Sequence, residues 1–196
     1  MIITSLSVMD SLKNYASPKA RLTRLLKAGK LIQVRRGLYV DEKNISPRVL
    51  APLIYGPSYI SFQYALAFHG LIPEKVEIVT SASFNKNKSK IYRTPLGEYR
   101  YYYVPPAVYP YGLSLIEENG YTFLIASAEK ALCDALYRVT SITKISDLET
   151  VLFEDWRMEP EDIESLNVDF IMKITPRYGR RSLLFLRKLF IKRLRP

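Results

Sequence analysis

The apolar positions of the first forty residues fall into two helical spacings and then two short β-prone runs. Val8, Met9 and Leu12 share one side of a short first helix. Ser17 is placed to cap a second one, with Pro18 at the first helical position, where a missing N–H costs nothing. Leu22, Leu25 and Leu26 follow at helical spacing, and Gly29 supplies the left-handed residue that commonly ends a helix. Residues 31–34 and 38–40 are short β-prone runs joined by Arg35, Arg36 and Gly37, and Gly37 suits a tight hairpin turn. The order helix, helix, small basic hairpin is that of a helix-turn-helix with a wing.

From Ile45 the texture changes. Residues 46–58 predict a linking helix and turn. Residues 61–69 predict a helix that turns Phe62, Ala65 and Leu66 inward, with Phe68 a further candidate, and that ends at Gly70. Strands are expected at residues 76–80, 99–104 and 121–125, with Pro105 and Pro106 stopping the second, and residues 83–90 are polar enough for an exposed loop. Residues 127–139 predict a helix. Ser146 with Glu149 has the spacing of a capping box for the next one. Residues 160–166 and 176–194 complete the helices. The expectation is an α+β protein, with a winged helix-turn-helix at residues 1–45 and a mixed α+β domain at residues 46–196.

Charge changes this picture more than composition does. The 196 residues carry a net charge of +10, distributed unevenly. Residues 1–48 hold 10 basic and 3 acidic side chains (+7), residues 49–172 hold 10 and 16 (−6), and residues 173–196 hold 9 and none (+9). A slightly acidic body between two basic ends suggests an anionic partner: nucleic acid, a membrane surface or an acidic protein. The one cysteine, Cys133, excludes an intramolecular disulfide framework and fits a reducing compartment. No apolar run is long enough to span a bilayer, and the first residues lack the basic start of a signal peptide. A cytoplasmic protein is expected.

The second helix turns its leucines to one side and leaves Lys19, Arg21, Arg24 and Lys27 on or beside the other. A recognition helix needs this division, because the apolar stripe anchors it while long cationic side chains reach phosphates and base edges. Arg21 and Arg24 are the better base readers, since a guanidinium can grip guanine O6 and N7 together. Arg35 and Arg36 at the hairpin would lie along the backbone or enter a minor groove. Six such phosphate contacts would give a log affinity against log salt slope of roughly −5.

The segment RLTRLLKAGKLIQVRRGLYV resembles the winged-helix segment of the AbiEi-family antitoxins, transcriptional regulators of abortive-infection systems. SYISFQYALAFHGLIPE, RTPLGEYRYYYVPPAVY and IASAEKALCDALYR resemble that family's later segments in the same order, so the likeness covers about residues 22–138. It implies a two-part protein of a type IV toxin–antitoxin system. The N-terminal part would bind operator DNA and repress its own operon, with two protomers expected on a palindrome. The remainder would counteract a nucleotidyltransferase-like toxin. The rival reading is an RNA-binding or protein-interaction module that uses its basic ends without reading duplex sequence.

Chemistry finds little support. Ser127 and Lys130 are spaced as S-x-x-K, but the companion motifs are absent, and Ser127 reads as a helix cap with Lys130 in the first turn. His69, the only histidine, sits at a helix end where a structural hydrogen bond or a dipole contact explains it. One Cys and one His make no typical zinc site. There is no Gly-rich phosphate loop, and Glu117–Glu118 and Glu159–Asp162 read as loop and first-turn charges. No cofactor, metal or enzyme activity is expected. The tyrosines at positions 99, 101, 102, 103, 109 and 111 fit either core packing or an interface, with Tyr101 and Tyr103 on one strand face and Tyr102 on the other. The last helix repeats Leu183, Leu186, Phe190 and Leu194, with Lys188, Lys192 and Arg195 opposite. Packing of its apolar face leaves Arg180, Arg181, Lys188 and Lys192 as candidate contacts to a partner or to phosphate.

Overall fold

The computed structural model describes residues 1–41 and 45–193, which form a mixed α+β structure with two sheets. Leu194 and Arg195 lie outside the described residues. The chain opens with β1 (Ile2–Thr4), α1 (Ser5–Ser11), α2 (Pro18–Lys27), β2 (Ile32–Arg35) and β3 (Leu38–Val40). The Thr4 hydroxyl accepts the Ser7 N–H at 3.3 Å and caps α1. Ser17 occupies the cap position of α2, but its hydroxyl makes no cap hydrogen bond, so Pro18 alone marks that start. Gly29, at φ +66°, ends the helix and lets the Lys30 N–H reach back to Leu25 at 3.0 Å. The three strands pair antiparallel in the order β1-β3-β2.

Alternation along these strands gives the small sheet two buried faces. Ile3 and Tyr39 face α1 and α2, where they meet Val8, Leu12, Leu22 and Leu31. Ile2, Ile32, Val34, Leu38 and Val40 join the main core of the protein. At roughly 1.5–3 kcal/mol for each fully buried aliphatic side chain, that second face fastens the N-terminal unit to the body.

The body comprises α3 (Pro47–Ile54), β4 (Ser58–Ile60), α4 (Phe62–Phe68), β5 (Val79–Ser83), β6 (Lys90–Thr94), β7 (Gly97–Tyr103), β8 (Leu113–Glu118), β9 (Tyr121–Ala126) and α5 (Ala128–Arg138). Four further helices follow: α6 (Ile145–Glu149), α7 (Pro160–Glu164), α8 (Val168–Ile174) and α9 (Arg181–Arg193). Its six strands run in the order β6-β7-β5-β4-β9-β8. The β5–β7 and β4–β9 pairs are parallel, and the others are antiparallel. The Tyr101 hydroxyl donates to the Ala51 carbonyl of α3 at 2.7 Å, while its neighbour Tyr102 meets Phe62 and lies under Arg138 of α5. Successive strand residues point to opposite faces, so α3 covers one side of the sheet and α4 with α5 the other. On α9, Leu183, Leu186, Leu189 and Phe190 are buried.

Several expectations change. The strand expected at 76–80 is β5, three residues later, and β1, β4, β6 and β8 were not anticipated. Glu117 and Glu118 belong to β8 rather than to a loop, and Phe68 is exposed. The Ser146–Glu149 box does not form. Asp147 caps α6 instead, accepting the Thr143 and Lys144 N–H groups at 2.9 and 3.1 Å. The helix expected at 176–194 is broken, because residues Thr175–Tyr178 make a 3-10 turn and Gly179, at φ +59°, turns the chain before α9. Asn167, accepting the Phe170 N–H at 3.0 Å, starts the unanticipated α8.

Candidate nucleic-acid interface

On α2, Leu22 is buried and Leu25 and Leu26 are half-buried against the small core, so the opposite side meets solvent. That side presents Lys19, Ala20, Thr23, Arg24 and Lys27, all exposed. The Thr23 hydroxyl donates to the Lys19 carbonyl at 3.0 Å, which keeps it low on the helix. The result is three long cations around two small side chains, a surface that a polyanion can approach closely.

Arg21 is placed differently. It is half-buried, its guanidinium stacks 5.0 Å from the centroid of the Tyr15 ring, and its Nε is buried without a hydrogen-bond partner. Arg35 closes β2 and Arg36 lies in the two-residue turn beside Gly37, which adopts φ +87°. Both arginines are exposed. Burial pushes the Tyr101 hydroxyl's pKa up, reinforced by Tyr99 and Tyr92 and opposed by the charge of Arg35. Val34 and Leu38 of the hairpin pack into the main core, and β2 lies against β6 of the large sheet.

The second cationic set belongs to the opposite side. Arg180, Arg181, Lys188 and Lys192 are exposed on or just before α9, which packs behind α5. Arg180 stacks over Tyr137 at 4.9 Å, and Arg181 and Lys188 flank Phe185 at 5.9 and 5.4 Å. The fold separates this set from α2 rather than merging the two.

The residues singled out for chemistry have local partners. Ser127 caps α5, accepting the Lys130 N–H at 3.3 Å and donating to Glu129 at 2.8 Å. The His69 Nε2 lies 2.7 Å from the Ala126 carbonyl oxygen. Of the tyrosines, Tyr99 and Tyr101 are fully buried, Tyr102, Tyr103 and Tyr109 are half-buried, and Tyr111 is exposed. No group of three or more metal-ligating side chains forms among the described residues. No helix among them is long and apolar enough to cross a membrane.

Sequence reasoning missed a buried polar cluster. Lys130 and Asp134, both with no exposed surface, form an ion pair at 2.5 Å. Tyr178 accepts from Lys130 at 2.8 Å and donates to Asp134 at 2.6 Å, while Tyr59 and Ser61 donate to the other carboxylate oxygen at 2.9 and 2.7 Å. Burial and then the charge of Asp134 push the pKa of Tyr59 and Tyr178 up, so both phenols stay protonated and can donate. With no solvent-exposed surface on its two charges, the cluster holds β4, α5 and the turn before α9 together. The sequence carries no signal for it: Lys130 and Asp134 are four residues apart on the helix face they share with Tyr137 and Arg138, a pattern that reads as a solvated ion pair. No family model matches the chain, and no curated protein matches it.

Proposed function

We propose that this chain is a DNA-binding repressor that reads duplex DNA with α2 and lays the β2–β3 hairpin beside it as a wing. The observation that carries this reading is the solvent face of α2, with Lys19, Arg24 and Lys27 around Ala20 and Thr23, next to exposed Arg35 and Arg36. Two further features support it. The order β1, α1, α2, hairpin, with β3 between β1 and β2, is the strand order of a winged helix. The stack of Arg21 on Tyr15 fixes the turn between the two helices, which sets the angle at which α2 meets a groove. Arg24 is the base reader in this arrangement, and Arg21 serves the turn.

The wider role follows from the resemblance to AbiEi-family antitoxins. In that role the protein acts in the cytoplasm without enzymatic activity, represses its own operon as two protomers on one operator, and counteracts a nucleotidyltransferase-like toxin.

The test is a mobility shift across a salt series, with a duplex from the protein's own promoter region, scrambled duplex and single-stranded RNA of equal length. The wild type should prefer the promoter duplex. A Lys19→Ala, Arg24→Ala, Lys27→Ala, Arg36→Ala variant should bind at least about thirty-fold more weakly. Its salt slope should be shallower by about 0.9 for each phosphate contact removed. Equal binding by variant and wild type would overturn the assignment of α2. Preference for RNA would shift the assignment to the basic-ended RNA-binding module.

A further inference from the structure

A cationic cavity lies at the end of the large sheet where α5 ends and α9 begins. Its volume is about 310 Å³, and it is lined by Asn87, Ser89, Tyr103, Tyr137, Arg138 and Arg180. It sits where the carboxyl ends of the parallel pair β5 and β7 meet the end of α5 and the start of α9. Tyr103 is the last residue of β7, and Asn87 and Ser89 lie on the connection leaving β5.

The lining has one chemical character. Arg138 is laid on the Tyr102 ring, 3.5 Å from its centroid, and Arg180 on the Tyr137 ring at 4.9 Å. Both arginines are exposed, and contact with a ring reduces the ordering that remains when an oxyanion binds. Among the described residues, no carboxylate lies within ion-pair distance of either guanidinium. Arg180 also precedes α9, whose first turn carries the positive end of the helix dipole. Asn87, Ser89 and the tyrosine hydroxyls add neutral donors. Two forked cations and several neutral donors in one concavity match a dianion with three terminal oxygens.

We propose that this cavity binds a small phosphomonoester, independently of the surface on α2. Its size fits a small molecule, and its arginines lie on the α5–α9 side of the large sheet, opposite the side covered by α3. This site does not rest on the repressor reading.

The experiment is isothermal titration of the full chain, at fixed ionic strength in chloride, with inorganic phosphate and with adenosine 5′-monophosphate. Wild type should bind at least one of the two. Arg138→Gln, and separately Asn87→Asp, which places a negative charge at the rim without touching the stacks, should each weaken that binding at least tenfold. Both variants should keep the wild-type melting temperature within a few degrees and their affinity for promoter duplex within about threefold. Tighter binding of the nucleotide supports the phosphomonoester, and binding of inorganic phosphate as tight or tighter overturns it in favour of free phosphate. Absence of binding to both probes, or equal binding by wild type and both variants, overturns the proposal. So does a loss of duplex affinity in these variants as large as that of the α2 variant, since the arginine would then belong to a nucleic-acid surface.

Discussion

Replacing Asp134 with alanine is expected to lower stability by about 3–5 kcal/mol, because it leaves the Lys130 ammonium buried without a counter-charge. The pair has no exposed surface, and the substitution also removes the acceptor for Tyr59, Ser61 and Tyr178. None of those hydroxyls can turn to water where it stands, and each unsatisfied buried donor adds to the cost. For a chain of this length the melting temperature should fall by roughly 10 °C. Urea unfolding followed by circular dichroism measures it. Two companions separate charge from packing. Tyr178→Phe removes one hydroxyl and should cost about 1 kcal/mol. Lys130→Met with Asp134→Leu removes both charges and should recover most of the loss. If Asp134→Ala unfolds within about 1 kcal/mol of wild type, the cluster is not what joins β4, α5 and the turn before α9.

What the sequence made legible follows from how local each signal is. α2 was readable from Pro18, the spacing of Leu22, Leu25 and Leu26, and Gly29, all within its own turns. The hairpin was readable from Gly37, and α5 from the Ser127 cap. Of the missed strands, β6 and β8 pair with the next strand across the two-residue turns 95–96 and 119–120, whereas β1 and β4 are held by partners farther along the chain. β4 has three residues, with Ile60 opposite Ile125 of β9, and its Ser58 is a buried polar residue that reads as loop. Only the ladder tells it from a turn. The same holds for the cationic sites. The composition of the α2 face was visible, but the withdrawal of Arg21 onto Tyr15 depends on the turn between α1 and α2. Nothing local marks Arg138, because Tyr102, which it lies over, is 36 residues away, and Arg180, which lines the same cavity, is 42.

Gly112 makes the same point from the backbone, and its substitution by alanine is expected to cost about 3 kcal/mol. The residue adopts φ +64°, a region where a Cβ costs roughly 1–2 kcal/mol. A Cβ at this position would also lie 2.6 Å from Phe170 Cζ and 3.0 Å from Lys130 Cβ. The backbone cannot easily retreat, because the Gly112 carbonyl accepts the Ser127 N–H at 2.8 Å where α5 begins. Phe170 would have to swing away from the α5–α8 junction, an overpacking cost of about 1–3 kcal/mol. Gly120 supplies the control, with φ +77° and nothing within 4 Å of where its Cβ would lie, so Gly120→Ala isolates the conformational cost. Urea denaturation should therefore rank Gly112→Ala well below Gly120→Ala in stability. Adding Phe170→Leu to Gly112→Ala should return part of the difference. Equal losses for the two glycines would mean that the α5–α8 junction yields freely, and the steric part of the argument would fail.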